Sequence, residues 1–396
     1  MEPAQRQDSA AVATDAASRL AEVVRLPDRG TDYDLHGIVG IRLIDATPSD
    51  VAAVDRQLGP IRRRLSRQPD ITIRFVERLP ERETVRLLGL EEAGFTSERF
   101  LVLRSKHKSR ARVQVRFEQI GGGCEIVCES GLLAVPLLIP ILNLTALANG
   151  ALPLHAAAFD YNDTGILTTG WSKGGKTETL LAFMSRGARY VGDEWIYISN
   201  DGTRMFGIPE PIRVWDWHLD QLPHYRALVG PVERMRLRLL RAARAIERIV
   251  ARGPGGSLPH RRLLRRAGPL LARQSHVDMH PEKLFGRELG PMVTRLQKVF
   301  LVGCHESADV SVRALEPREV AERMVFSLQY ERLPFMSWYY TFRFAFPEAR
   351  SELIESAENL QRERLLRVLA DKEAFGLDHP YPVRITSLFD AMEPLI

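Results

Sequence analysis

The octapeptide GWSKGGKT at residues 170–177 constrains the fold of this chain more than any other feature. It follows the apolar run ILTTG and precedes TETLLAFMSRG, which predicts a helix ended by Gly187. The pattern G-x-x-x-x-G-K-[ST] requires a loop whose successive backbone N–H groups turn inward, with glycine where a side chain would block the turn. The sequence therefore predicts a strand, a tight loop and a helix in an α/β domain.

This loop predicts binding of a nucleotide phosphate, with ATP and Mg²⁺ as cofactors. Lys176 would bridge the terminal phosphates, and the Thr177 hydroxyl would coordinate Mg²⁺. The helix that follows would direct its positive dipole end at the same oxygens. The other residues predicted to contact the nucleotide are Gly170, Ser172, Lys173, Gly174, Gly175 and Glu178. The alternative is a glycine-rich turn that holds no ligand.

Two further candidates lie close to the loop in sequence. Asp193 and Glu194 end a short predicted strand, where carboxylates can hold Mg²⁺ or accept a proton from an attacking hydroxyl. Thr177, Asp193 and Glu194 are therefore the predicted metal ligands, and a solvated acidic turn is the alternative. His155 lies in the predicted strand LHAAAF before the loop, and such a histidine is either a packed core residue or a catalytic one.

Residues 154–195, LHAAAFDYNDTGILTTGWSKGGKTETLLAFMSRGARYVGDEW, resemble the catalytic core of HPr kinase/phosphorylase and related serine kinases. The shared features are a histidine, two short strands, the glycine-rich loop, a helix ending in an Arg-Gly turn, and an acidic pair soon afterwards. The resemblance implies a P-loop kinase domain of the HPr kinase and phosphoenolpyruvate carboxykinase-like type. It covers residues 150–215.

The resemblance also implies roles for individual residues. Lys176 and Thr177 match the nucleotide and metal contacts, and Asp193 matches the carboxylate that takes the proton from a serine hydroxyl. His155 matches the histidine packed against that carboxylate. Asp193, His155 and Lys176 are therefore the implied catalytic residues, and Glu194 stands where the family usually has a second aspartate.

The expected reaction is transfer of the ATP γ-phosphoryl group to a hydroxyl of a protein or peptide serine or of a small-molecule alcohol. HPr is not the expected acceptor, because the glycine-rich segment that precedes HPr docking in the family is not found downstream of the match. Two alternatives remain. One is a regulatory protein that binds ATP without catalysis, and the other is a scaffold that docks to a partner or a membrane.

The predicted domain organisation has four parts. Residues 1–30 are a flexible tail, and residues 31–130 form a smaller N-terminal α+β domain with alternating strands and a helix at 49–67. Residues 131–345 form the catalytic domain, with an Arg-rich helical insertion at 230–275. Residues 346–396 form a C-terminal helical segment.

A basic amphipathic helix is predicted at 232–252, with Met235, Leu239, Ala242, Ile246 and Ile249 on one face. Three interpretations stay open: a solvated face or a contact between copies of the chain, recognition of an acidic or phosphorylated partner, and binding to an anionic membrane or nucleic acid. Nucleic acid is not expected, because no aromatic interleaving accompanies the charge. The arginines concerned are Arg234, Arg236, Arg238, Arg241, Arg244, Arg248, Arg252, Arg261, Arg262, Arg265 and Arg266.

Two aromatic groups are candidates for an acceptor pocket, with core packing as the alternative. The first comprises Trp215, Trp217 and His218, and the second Trp338, Tyr339 and Tyr340.

The expected compartment is a reduced bacterial cytoplasm. The first 22 residues lack the apolar stretch of a signal peptide, and the bias toward arginine and alanine is typical of a high-GC bacterial genome. The three cysteines fit neither a fully paired disulfide framework nor a zinc site. The apolar run at 132–148 contains two prolines and an asparagine, so it predicts a buried core segment rather than a transmembrane span.

Overall fold

The protein is a mixed α/β molecule, described here from a computed structural model. The structure describes residues 30–80, 83–105, 109–252, 268–286 and 288–396. The predicted N-terminal tail and the arginines at 261, 262, 265 and 266 lie outside the described residues. Within the described ranges the strands form three sheets of eight, nine and two strands.

The eight-stranded sheet contains the predicted N-terminal strands in the order β1-β2-β3-β8-β7-β6-β5-β4. Strands β2, β3 and β8 run parallel, and the other neighbours are antiparallel. Alternating buried and half-exposed residues along β3 bury one face of the strand. The strands are β1 Thr31–Leu35, β2 Val39–Ile44, β3 Ile71–Val76, β4 Arg86–Leu88, β5 Ala93–Phe95, β6 Phe100–Arg104, β7 Arg110–Val115 and β8 Cys124–Glu129.

The helix between β2 and β3, α1 Pro48–Leu58, is shorter than the predicted helix at 49–67. Thr47 and Asp50 form a capping box at its start. It ends because Gly59 adopts a φ of +72° and packs against Pro209, where a Cβ would lie 2.5 Å from the Pro209 carbonyl oxygen. The chain then turns into Pro60, so the prediction was wrong beyond Leu58.

The nine-stranded sheet carries the glycine-rich loop. Its order is β16-β13-β12-β9-β10-β17-β19-β18, with β11 also paired to β9. The three neighbours β10, β17 and β19 are parallel, so their carboxyl ends lie at one edge. The strands are β9 Leu152–Tyr161, β10 Thr164–Gly170, β11 Arg189–Gly192, β12 Trp195–Ile198, β13 Arg204–Gly207, β16 Val293–Arg295, β17 Lys298–Cys304, β18 Ser311–Leu315 and β19 Glu373–His379. The two-stranded sheet pairs β14 Ile212–Trp215 with β15 His276–Met279.

Helices cover both faces of the nine-stranded sheet. They are α2 Leu138–Ala148, α3 Lys176–Met184, α4 Asp216–Gln221, α5 Pro223–Leu228, α6 Pro231–Arg252, α7 268–274, α8 Pro281–Phe285, α9 Pro317–Ala345, α10 Glu352–Leu369 and α11 Ile385–Met392. Helices α3 and α11 pack on one face in one apolar core. Helices α2, α9 and α10 belong to a second core, which also contains the interior of the eight-stranded sheet.

Helix α9 links the two large sheets. In its first half, the Met324 sulfur lies 3.3 Å from the Thr169 hydroxyl of β10. In its second half, Phe342 stacks on Phe117 of the N-terminal domain at a centroid distance of 5.0 Å. Because one continuous core spans both sheets, a movement of α9 would be felt at the glycine-rich loop and in the N-terminal sheet.

The chain beyond residue 345 differs from the predicted helical segment. Helices α10 and α11 are present, but β19 Glu373–His379 lies between them and pairs with β17 and β18 inside the nine-stranded sheet. The prediction of an entirely helical segment is therefore wrong for this strand. Its short apolar run, EAFGLDH, is a signal too brief to separate strand from helix by periodicity.

The apolar run at 132–148 ends in α2, most of whose residues are buried. Of the helices in the described ranges, none combines the length and the apolar character that crossing a membrane requires. All three cysteines are free, and Cys304 alone among them is exposed.

The predicted basic helix is α6, but its apolar face is not buried. Met235, Leu239, Ile246 and Ile249 are all more than half exposed. The helix is held on the protein by its other side, where Leu237 is buried and Arg241 pairs with Asp216.

Candidate functional site

The glycine-rich loop (residues 170–177) joins the end of β10 to the start of α3, as predicted. Two glycines are required by their surroundings. A Cβ at Gly170, where φ is +150°, would lie 2.3 Å from the Val302 carbonyl oxygen, and a Cβ at Gly175, where φ is +110°, would lie 2.1 Å from Nε2 of His379. The close approach of β17 and β19 therefore fixes the path of the loop.

Lys176 and Thr177 open the first turn of α3 and face the interior of the loop. The buried Lys176 ammonium donates to the carbonyl oxygen of Trp171 at 3.0 Å. Burial lowers the pKa of Lys176, although four neighbouring carboxylates act in the opposite direction. The Thr177 hydroxyl donates to Oδ2 of Asp193 at 3.0 Å, so the loop and the acidic pair form one cluster.

A bulge places Asp193 and Glu194 between β11 and β12. The pairing of β11 with β9 shifts between Tyr190 and Gly192, and Glu194 adopts a left-handed φ of +68°. The Ala156 N–H donates to the Glu194 carbonyl oxygen at 3.1 Å, which ties the bulge to β9. Left-handed backbone at a residue other than glycine is uncommon and tends to occur at functional sites.

Asp193 is a buried acid with little solvent access, being 3% exposed. Burial and the adjacent negative charge of Glu194 raise its pKa from 3.8 to about 7, against the opposing effects of Thr177 and Lys176. The Asp193 carboxyl thus changes its charge near neutral pH, as a general base requires.

His155, in β9, lies between two acidic side chains. Its Nε2 is 3.0 Å from Oε2 of Glu194, and its Nδ1 is 3.1 Å from Oε1 of Glu331 without the alignment of a hydrogen bond. Burial alone would lower the pKa of His155, but these two carboxylates raise it. In turn, partial burial would raise the pKa of Glu194, but His155 and Lys176 lower it. The two carboxylates therefore favour the protonated form of His155, against the opposing charge of Lys176.

A further buried acid, Glu210, adjoins the cluster. Its Oε2 has no hydrogen-bond partner, and burial together with the charges of Glu194 and Asp193 raises its pKa well above the usual range. Burial and these charges therefore favour the neutral form of Glu210.

The structure brings His155, Lys176, Thr177, Asp193 and Glu194 together but places Glu178 elsewhere. Glu178 lies on the other side of the first turn of α3, where its Oε1 is 3.0 Å from Nε2 of the buried His218. Of the remaining loop residues, Ser172 is partly exposed, Lys173 is exposed, and Gly174 is buried. The Gly174 carbonyl oxygen lies 3.0 Å from Nε2 of His379.

Sequence reasoning missed three residues that support the site. Glu331 and Ser327 lie on α9, where Ser327 donates to the Gly170 carbonyl oxygen at 3.2 Å. His379 ends β19. These residues lie more than 150 positions from their partners and belong to no motif, so only an alignment of related sequences could have signalled them.

The aromatic groups considered as a possible acceptor pocket do not share one role. Tyr339 is buried in the core beside Phe117, and its hydroxyl donates to Glu355 at 2.8 Å. Trp217 instead lies beside His218 near the loop.

Within the described ranges, no group of three or more His, Cys, Asp or Glu side chains is arranged to hold a metal ion by itself. The oxygen donors nearest the loop are the Thr177 hydroxyl and the Asp193 carboxylate. Such a pair fits a cation that takes one or two protein oxygens and completes its shell with water and phosphate, as Mg²⁺ does. It does not fit zinc or another cation that requires a full protein cage.

Comparison with known proteins gives no assignment: neither a protein-family model nor a curated protein matches the chain. The cluster combines the glycine-rich loop, the buried Lys176 ammonium, and a buried acid of raised pKa at the carboxyl edge of the parallel strands. Such an arrangement can bind phosphate oxygens and can accept a proton beside them.

Proposed function

We propose that this protein is an ATP-dependent kinase that transfers the γ-phosphoryl group to a hydroxyl acceptor, with Asp193 as the base. The observation that carries the proposal is the 3.0 Å contact between Asp193 and Thr177, which joins an acid of raised pKa to the loop expected to hold phosphate. The resemblance of residues 154–195 to the HPr kinase core points to the same reaction and to a P-loop fold of that type.

The binding step rests on the loop and on the charges around it. Backbone N–H groups of residues 170–177 and the Lys176 ammonium would contact the phosphates. Four carboxylates, Asp193, Glu194, Glu331 and Glu178, act electrostatically on Lys176. Such surroundings would repel a bare triphosphate. They favour a nucleotide whose charge is partly neutralised by a divalent cation.

Thr177 and Asp193 would hold Mg²⁺ together with the phosphates. The bound ion would neutralise charge on the phosphate oxygens. Glu194 was predicted as a third ligand, and in this arrangement it acts instead as the partner of His155. When protonated, His155 would place a second positive charge near the terminal phosphate, in addition to Lys176.

The transfer step follows from the pKa of Asp193. Its carboxylate accepts the proton of the acceptor hydroxyl, and the oxygen forms a bond to the γ-phosphorus. The bond between that phosphorus and the bridging oxygen breaks, and ADP leaves with the electron pair.

The test is transfer of label from γ-labelled ATP to a protein lysate and to a pool of small-molecule alcohols, with mass spectrometry of the labelled product. The wild-type protein should label an acceptor. Asp193→Asn should lower the rate by about 10² to 10⁴, the contribution of a general base, while the exposed Asp309→Asn serves as the matched control. Equal labelling by wild type and Asp193→Asn would contradict the assigned role of Asp193.

A further inference from the structure

The position of Asp193 indicates on which side of the loop the nucleoside end of a bound nucleotide would lie. Asp193 follows β11, which pairs with β9, and β9 lies on one side of β10. On the other side of β10 lie β17 and β19. If the terminal phosphate faces Asp193, the nucleoside end points across the loop toward the carboxyl ends of these two strands. Ligands of open α/β sheets bind outside such strand ends.

An aromatic pair lies in that direction. Strand β19 ends at His379, whose ring contacts the loop at Gly174, and Tyr381 follows two residues later. The ring of Tyr381 lies 5.7 Å from the ring of Trp217, at an interplanar angle of 88°. Tyr381 is 52% exposed, so much of its ring is accessible beside the loop.

Trp217 is anchored to the helix that the loop opens. The next residue in the chain, His218, contacts Glu178 in the first turn of α3 at 3.0 Å, and both side chains are buried. The Trp217 and His218 rings are 4.1 Å apart. The indole is therefore fixed near the start of α3, while its own side chain remains partly exposed.

We propose that Trp217 and Tyr381 form the nucleobase subsite, and that the ligand is a purine nucleoside triphosphate. This inference rests on the proposed kinase function. A large flat base gains most from stacking on aromatic rings, and such stacking is tolerant of base identity. Because both ring systems present mainly apolar faces, ATP and GTP should bind with similar affinity, and a pyrimidine nucleotide should bind more weakly.

A second aromatic pair, Trp171 of the loop and Tyr330 of α9, has ring centroids 4.7 Å apart. Trp171 also lines a cavity with Val302 of β17 and Asp378 of β19. This pair belongs to the loop and α9, whereas Trp217 is tied to the start of α3 through His218 and Glu178. The proposal assigns the base to the pair beside α3.

The experiment separates the base from the phosphates. Calorimetric titrations of MgATP, MgGTP and magnesium tripolyphosphate are compared for the wild type, Tyr381→Ala, Trp217→Ala and Tyr381→Phe. The two alanine variants should weaken ATP and GTP binding by roughly fivefold to hundredfold, with tripolyphosphate affinity unchanged. Tyr381→Phe should retain wild-type affinity. Tyr340→Ala, which removes another exposed aromatic ring from α9, is the matched control.

Three results would overturn the inference. One is unchanged ATP affinity in both alanine variants, and another is equal weakening of ATP and tripolyphosphate, since the rings would then act through the loop. In both cases the proposed kinase function would stand. If the wild type binds neither ligand, the proposed function fails and the inference fails with it.

Discussion

Glu178 and Asp193 are both buried carboxyl groups beside the glycine-rich loop, yet their environments shift their pKa values in opposite directions. Burial would raise the pKa of each. For Glu178 the hydrogen bond and charge of His218 prevail and lower the pKa. For Asp193 the neighbouring Glu194 adds to the effect of burial and raises the pKa to about 7.

This difference distinguishes an acid that supports the fold, Glu178, from the acid that we propose as the base, Asp193. Glu178 is ionised and satisfied by a single buried partner, so it holds α4 against α3. Asp193 contacts the Thr177 hydroxyl and is adjacent to a like charge, so its ionised form is costly until a cation or a proton arrives. Opposite pKa shifts in neighbouring acids are the usual means by which proteins assign acids to different roles.

The largest expected effect is a change in the free energy of unfolding when Glu178 is replaced. Glu178→Ala leaves the buried His218 without its partner and should lower the free energy of unfolding by about 4 kcal/mol at pH 7. The pKa of Glu178 is lowered on folding, so this contribution is present above its unfolded pKa and is lost as pH falls through the folded pKa. Urea denaturation between pH 3 and 8 measures the effect, with exposed Glu282→Ala as control. A loss below about 1 kcal/mol would show that the pair is not structural.

At Asp193 we expect the dependence of stability on pH to have the opposite sign. The folded protein retains a proton on this acid between its unfolded pKa near 3.8 and its folded pKa of about 7. Stability therefore falls as pH rises through this range. Asp193→Asn should be more stable than wild type at pH 8, by an amount on the order of a few kcal/mol, because the amide cannot become charged in the folded protein. The difference should disappear near pH 4. Destabilisation by Asn at pH 8 would contradict the assigned pKa.

The third expectation concerns the pH dependence of transfer. A base with a pKa of about 7 is mostly protonated at pH 6 and mostly ionised at pH 8, so kcat/KM should rise about tenfold between them. Glu194→Gln removes the adjacent charge and should move the midpoint to lower pH. Measurement of kcat/KM from pH 5.5 to 8.5 tests both statements. A flat profile in the wild type would exclude a base that titrates near neutrality.

The smallest effect should come from Glu331, which is partly exposed. Glu331→Gln should lower the pKa of His155, because one of the two carboxylates that raise it is removed. Because the pKa of His155 is raised on folding, its protonated form stabilises the folded protein below pH 6.5. This stabilisation is lost as pH rises through the folded pKa. We expect a loss of about 0.5 kcal/mol at pH 5 and none at pH 8. Titration of the imidazole by NMR is the direct readout, and an unchanged His155 midpoint would show that Glu331 is not coupled to it.

The local part of the site could be predicted from the sequence, because short-range patterns encode it. The strand, loop and helix around Lys176 follow from apolar runs and glycines, and the acidic pair at 193–194 lies only one helix away. The structure joins Thr177 to Asp193, but it pairs His155 with Glu194, whereas the resemblance implied a contact between His155 and Asp193.

The parts that depend on distant pairing could not be predicted. Strand β19 had too weak a pattern to be recognised without its neighbours β17 and β18. Glu331 contacts His155 only because α9 packs beside the loop, and no local sequence pattern indicates that packing. The role of Glu178 was missed for the same reason, since its partner His218 lies 40 residues away.

Nucleotide binding at the loop is the central claim, and calorimetric titration with MgATP tests it most directly. The account predicts saturable one-site binding to the wild type, and a loss of affinity of at least about a hundredfold in Lys176→Ala, which removes the buried cation. Exposed Lys283→Ala is the control and should bind as the wild type does. Absence of binding to the wild type, or equal affinity in Lys176→Ala, would contradict the account.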